Sequence, residues 1–264
     1  MFPYQFHLLE IGKPDKPLIL FLHGFLGSAE DWLDVMEPLA SDFRCLAIDL
    51  PGHGKTIVTG GDEVYRMELV AEGIVHFLQT LGINTCYLVG YSMGGRLALY
   101  LALHYPEVFQ KVLLESASPG LKTEAERTAR RAHDEALARE ILQTNFSVFL
   151  QRWYDLPLFK TLKAHLNFDR VLERRKANSP EGLALSLRQM GTGVQPSLWE
   201  KLSGAEVPIR LVVGENDQKF VGIGNEMAGL CKTAELSIIP DAGHTAHIEN
   251  RNAFIHHLQT FFIH

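Results

Sequence analysis

Gly90-Tyr91-Ser92-Met93-Gly94 places a serine between two glycines at the spacing of a nucleophile elbow. A serine at a sharp strand-to-helix turn is strained, and its neighbours two before and two after must be small or strand and helix collide. Such a hydroxyl does little until a histidine takes its proton, and that histidine needs an acid to fix its tautomer and balance its charge. Val212-Val213-Gly214-Glu215-Asn216-Asp217 ends an apolar run with a turn that puts Asp217 at its C-terminal edge, and Ile239-Pro240-Asp241-Ala242-Gly243-His244 does the same for His244. Asp49 and Asp241 are rival acids. A structural loop role suffices for Asp49, and Asp241 is too near His244 in sequence to be its usual partner. His247, His256 and His257 read as surface or packing residues. Developing negative charge is best held by preorganised backbone amides. Met93, directly after the serine, and Phe25, in the His23-Gly24-Phe25 loop, are the residues expected to provide that oxyanion site.

The elements that must carry these residues are legible in order. Pro17–Leu22 is a continuous apolar run, as in a strand covered on both faces. Ser28 or Glu30 can open a helix carrying Trp32, Val35, Met36 and Leu39. Phe43–Asp49 reads as the next strand, Tyr65–Leu81 as a helix, and Cys86–Val89 as the strand entering the elbow. The elbow helix should stop near Pro106, and Lys111–Ser116 returns to strand. This alternation is the signature of an α/β fold with a doubly wound, mostly parallel sheet. From Leu121 to about Leu202 no convincing strand occurs; helices are expected over 124–142, 146–154, 158–175 and 180–190. Strands resume at 207–213 and 234–239, and a helix over 252–262 closes the chain. The chain thus divides into a core of 1–117 with 203–264 and an inserted helical lid of 118–202.

Composition bounds the function. With 264 residues and 21% charged side chains, the chain is an ordinary globular protein with room for one domain and an insertion. Its net charge of −6 argues against general nucleic-acid binding. No apolar run is long enough for a membrane span, and the N-terminus lacks the basic and apolar regions of a secretory signal. Cys45, Cys86 and Cys231 lie far apart, as reduced, buried thiols of a cytoplasmic protein would. Neither metal-ligand spacing nor a phosphate-binding glycine loop is present, so no metal and no cofactor are expected. Charge is uneven: residues 121–190 hold 13 basic and 9 acidic residues, and 9 of the 14 arginines. On counts alone, a solvated helix face explains this better than a cover for an acidic substrate does.

The chain order Ser92, Asp217, His244 is that of α/β hydrolases, which the sequence resembles along its whole length. Leu22–Ser28, Asp49-Leu50-Pro51-Gly52-His53-Gly54 and Gly90–Arg96 are similar to the 2-succinyl-6-hydroxy-2,4-cyclohexadiene-1-carboxylate synthase family. So are Ser118-Pro119-Gly120-Leu121 with Glu126, Arg127, Arg130 and Asp134, then Trp153-Tyr154, Gly191–Gln195, Asp217–Phe220 and Gly243–Asn250. Thr245 departs from the pattern, where a small apolar residue is expected. The resemblance implies a lyase of menaquinone or phylloquinone biosynthesis that eliminates pyruvate from a polycarboxylate. Ser92, activated by His244 and Asp217, would take a ring proton rather than form an acyl-enzyme. Arg96, Arg130 and Arg175 would bind carboxylates, with Arg131 and Arg174 as neighbouring registers, and Tyr91 and Trp153 would line the pocket. Arginine suits this work because its planar fork pairs bidentately with a carboxylate. The expected partner is the small-molecule substrate alone, with no nucleic acid or membrane, on a monomer or small homo-oligomer. The competing reading is a carboxylesterase or carbon–carbon bond hydrolase with the same triad.

Overall fold

The computed structural model describes residues 2–263. Nine strands form in chain order: β1 Tyr4–Gln5, β2 Leu8–Ile11, β3 Leu18–Leu22, β4 Arg44–Ile48, β5 Ile57–Val58, β6 Cys86–Tyr91, β7 Phe109–Glu115, β8 Ile209–Gly214 and β9 Ala234–Ile239. Before β7 come helices α1 Leu33–Leu39, α2 Met67–Thr80 and α3 Met93–His104. Between β7 and β8 the regular structure is all helical: α4 Glu124–Gln143, α5 Phe146–Tyr154, α6 Lys160–Lys163, α7 Phe168–Arg175 and α8 Pro180–Met190, with short 3-10 turns. After β8 come α9 Gln218–Leu230, α10 Ala246–Glu249 and α11 Arg251–Phe262.

Seven strands make one sheet in the order β2-β4-β3-β6-β7-β8-β9, with β1 and β5 as a separate ribbon. Every neighbouring pair in the large sheet is parallel except β2 against β4. Parallel strands need covered faces, and two apolar layers supply the cover. One includes α2 and α3 through Val70, Ile74, Leu97 and Leu101; the other includes α1 and α11 through Val35, Met36, Phe254 and Leu258. All five residues of β3 are buried, as its unbroken apolar run requires. From β3 the chain steps first to β4 on one side and then to β6 on the other. Loops leaving β3 and β6 therefore diverge at the carboxyl ends of adjacent strands, the place where open α/β sheets bind ligands. Phe25 follows β3 and Ser92 follows β6.

The short strands β1, β2 and β5 and the short helix α10 have no counterpart in the sequence reading, and two longer stretches differ from it. The stretch 158–175 is not one helix: a 3-10 turn at Pro157–Phe159 and the short α6 are followed by a break before α7. At the break the Asn167 amide donates to His165 Nδ1 at 3.3 Å, a local bond that competes with helical pairing. It leaves Leu166 87% exposed while Phe159, Leu162 and Val171 pack with Tyr154. The helix α9, directly after Asp217, has no counterpart in the sequence reading. Three glycines (Gly222, Gly224 and Gly229) dilute its helical pattern.

Candidate active site

Ser92 has φ 49° and ψ −106°, a left-handed conformation that a non-glycine residue adopts only when its surroundings impose it. The imposition is visible. The Ser92 amide donates to Glu115 O at 2.9 Å, and α3 begins at the next residue. A Cβ on Gly94 would lie 2.4 Å from Leu22 O, so only glycine lets α3 come this close to β3. The hydroxyl this turn presents meets His244, whose Nε2 is 3.1 Å from Ser92 Oγ. His244 Nδ1 is 2.6 Å from Asp217 Oδ2. With the carboxylate ionised, Nδ1 carries the proton and donates it, leaving the Nε2 lone pair to accept from the serine. Both partners are buried. Asp217 also caps α9, with Oδ1 accepting from the Phe220 amide at 3.4 Å, so one residue fixes both helix and imidazole.

The loop after β3 is held from within. His23 Nδ1 donates to Gly24 O at 2.7 Å, its Nε2 accepts from the Leu50 amide at 2.9 Å, and Gly27 N donates to Gly24 O at 2.9 Å. Burial keeps His23 below its ordinary pKa, consistent with this neutral, single-tautomer role. A Cβ on Gly24 would fall 2.6 Å from Tyr91 Cε1, so glycine is what lets the loop pass the elbow. The loop's Phe25 amide donates to no group among the described residues. Met93 opens α3, where an amide has no partner in the preceding turn.

Ser92, His244, Phe25 and Met93 border a cavity of about 210 Å³. Its walls come from both parts of the chain, including Tyr91, Arg96, Arg130, Trp153, Arg175 and Lys219. The three arginines differ. Arg96 Nη1 donates to Met190 O at 3.0 Å and to Gln195 Oε1, both neutral acceptors. Burial, with Arg130 adding repulsion, lowers its pKa to about 10. Arg130 Nε pairs with the buried Asp134 at 2.7 Å. Arg175 is 4% exposed and bonded on two sides, Nη1 to Asp31 Oδ1 at 2.7 Å and Nε to Tyr154 Oη at 3.0 Å. Burial alone would push the Asp31 carboxyl up; the Arg175 guanidinium outweighs this and holds it below its ordinary value. Burial lifts the Tyr91 phenol well above 10, so it stays neutral.

A family model described as alpha/beta hydrolase fold matches residues 17–251. The 2-succinyl-6-hydroxy-2,4-cyclohexadiene-1-carboxylate synthase of Serratia proteamaculans is 35% identical over 97% of this chain and 97% of its own length. The chain belongs to this synthase family of α/β hydrolases. The structure titled MenH from S. aureus superposes with a TM-score of 0.91 at 32% identity, covering 99% of this chain and 98% of that one. The chloroplastic protein PHYLLO of Arabidopsis thaliana is 34% identical over 94% of this chain, which spans only 16% of PHYLLO's length.

Against the synthase resemblance, the structure brings Ser92, Asp217, His244, Phe25, Met93, Tyr91, Arg96, Arg130, Trp153 and Arg175 together, all at the cavity except Asp217, which stands behind His244. Arg131 turns instead to Glu124, Thr128 and Gly193 O, and Arg174 toward Glu30 and Asp31. Asp49 is buried in the structural network its loop position suggested, accepting from the Ala29 and Lys55 amides at 2.7 and 2.8 Å. Asp241 is exposed. Thr245, the departure from the family pattern, spends its hydroxyl on Glu249 Oε1 at 2.6 Å. The sequence reading missed the acid partner of Arg175, and Lys219 as a cavity wall. It placed His247 among surface or packing residues; the residue is buried, with Glu115 3.0 Å from Nδ1 as a partner the sequence did not indicate. Lys219 could have been found, since it lies two residues past Asp217 in a quoted segment.

Proposed function

We propose that this protein is a lyase that eliminates pyruvate from 2-succinyl-5-enolpyruvyl-6-hydroxy-3-cyclohexene-1-carboxylate. The other product is 2-succinyl-6-hydroxy-2,4-cyclohexadiene-1-carboxylate, and the place of action is menaquinone or phylloquinone biosynthesis in the cytoplasm. The observation that carries the reading is Arg96, a cation at the triad's cavity with only neutral partners. A guanidinium that bonds no acid there suits a substrate that brings its own carboxylate, and a neutral ester gives it none. The names of the full-length relatives point the same way. No helix among the described residues is long and apolar enough to cross a membrane.

The chemistry follows from the substrate's connectivity. The ring C2 proton lies next to the succinyl carbonyl and is acidified by it. Ser92 Oγ takes that proton as its own passes to His244 Nε2, and Asp217 steadies the imidazolium. The C2–H electron pair becomes the C2–C3 double bond, the old C3–C4 double bond moves to C4–C5, and the C5–O bond breaks. Charge gathering on the succinyl oxygen is met by the Phe25 and Met93 amides. The departing enolpyruvate oxygen takes the proton back from His244, and the enol tautomerises to pyruvate. No water is consumed and no acyl-enzyme forms. Arg96, Arg130 and Arg175 hold carboxylates, Tyr91 and Trp153 shape the wall, and residues 118–202 act as the lid.

A paired assay tests this. Purified protein is given the enolpyruvyl substrate, with pyruvate release followed, and separately a neutral p-nitrophenyl ester. Pyruvate release that disappears in Ser92→Ala is expected. Brisk ester cleavage without pyruvate would return the protein to the esterase reading.

A further inference from the structure

We propose that Lys219 is a fourth cationic subsite, which takes the carboxylate of the enolpyruvyl group that leaves. The inference rests on the elimination reading and extends it to a residue outside the arginine set. Four cations border the cavity: Arg96, Arg130, Arg175 and Lys219. Two are already paired, Arg130 with Asp134 at 2.7 Å and Arg175 with Asp31 at 2.7 Å. Among the described residues Lys219 makes no ion pair, and Arg96 bonds only neutral groups. The cations facing the cavity without an ion pair of their own are therefore Arg96 and Lys219. A substrate with three carboxylates would otherwise meet a single free cation.

Place and side-chain type assign the carboxylate. Arg96 is pinned under the lid by Met190 O and Gln195, and Arg175 is 4% exposed between Asp31 and Tyr154. These rigid, desolvated forks suit the half of the substrate that is retained through the reaction. Lys219 is exposed, in the first turn of α9, with Nζ 5.7 Å from the Phe220 ring centre. That ring in turn lies 4.7 Å from the His244 ring. The lysine thus stands at the solvent side of the cavity beside the acid–base group. A hydrated point charge on a flexible stem can guide an anion in and let it go again. The group that must be released is the enolpyruvate.

The test compares wild type, Lys219→Gln and Lys219→Arg, reading KM and kcat from pyruvate release at several salt concentrations. The probe inhibitor is 2-succinylbenzoate, an aromatic dicarboxylate that keeps the ring carboxylate and succinyl chain and lacks the enolpyruvyl group. Lys219→Gln is expected to raise KM about three- to fivefold and to flatten the fall of kcat/KM with salt. It should leave the inhibition constant of 2-succinylbenzoate unchanged, and Lys219→Arg should recover most of the loss. An unchanged KM in Lys219→Gln would overturn the subsite. Equal weakening of substrate and 2-succinylbenzoate would overturn its assignment to the leaving group. Failure of the wild-type protein to release pyruvate would instead overturn the elimination reading, and would show before any variant is compared.

Discussion

Asp31→Asn is the substitution that best separates anchoring from binding at Arg175. The pair joins the turn before α1 to the end of α7, 144 residues later. Its side chains are 4% and 5% exposed, with nitrogen and oxygen 2.7 Å apart. Removing one partner of a buried pair leaves the other charge uncompensated, at about 3–5 kcal/mol. Asparagine keeps one oxygen to accept from Arg175, so the lower end, about 3 kcal/mol, is expected. At about 2 °C per kcal/mol for a chain of this size, Tm should fall by roughly 6 °C. Calorimetry at pH 7 reads the fall. Arg175→Met in the same background should restore part of it, because two neutral groups replace a lone buried charge. Activity divides differently: Asp31→Asn leaves the guanidinium at the cavity wall and should hold KM within a few-fold, while Arg175→Met should raise it clearly. A Tm within 1 °C of wild type in Asp31→Asn, or a double variant no more stable than the single, would refute the buried-anchor argument.

The same pair gives a pH signature. Asp31 is held below its ordinary pKa by Arg175, so its contribution to stability is complete above the unfolded carboxylate value of about 4 and is lost as pH falls through the lower folded value. Tm measured from pH 7 downward should therefore fall less steeply in Asp31→Asn than in wild type; parallel profiles would contradict this. Arg96→Ala removes a charge-assisted contact and should lower kcat/KM by about 1.5–3 kcal/mol, roughly 10- to 150-fold; wild-type kinetics would mean that no carboxylate sits there. His244→Ala should lower the pyruvate-release rate by several powers of ten with little change in Tm, measured side by side. Asn178→Ala breaks bonds to Leu26 O and the Gly54 amide at 2.8 and 2.9 Å, and should destabilise the protein by about 1–3 kcal/mol in urea titration.

Much of this molecule is legible because its chemistry constrains local sequence. The elbow needs glycines at fixed offsets, and the sheet needs unbroken apolar runs, so β3, β6 and the turn at Ser92 announce themselves. Asp217 and His244 are readable because each follows a legible strand and a turn. What escapes is set by contacts far apart in the chain or by weak local patterns. Nothing near Arg175 in sequence points to Asp31, and nothing near His247 points to Glu115. The β2 strand is four residues long and pairs antiparallel at the sheet edge, too short for its alternation to stand out. The glycines of α9 hide a helix that Asp217 itself caps. Charge counts alone favour a solvated helix face for the arginine-rich segment. The structure divides those arginines: Arg139 and Arg152 pair on the surface, while Arg130 and Arg175 turn to the cavity, where Arg96 of α3 joins them.

The central claim is that a hydrolase triad here performs an elimination. The most direct measurement follows pyruvate and the conjugated cyclohexadiene together from the enolpyruvyl substrate, in wild type and in Ser92→Ala. The account predicts one pyruvate and one diene per substrate consumed, no water added to either, and loss of both in the variant. Pyruvate without the diene, or undiminished turnover in Ser92→Ala, would contradict it.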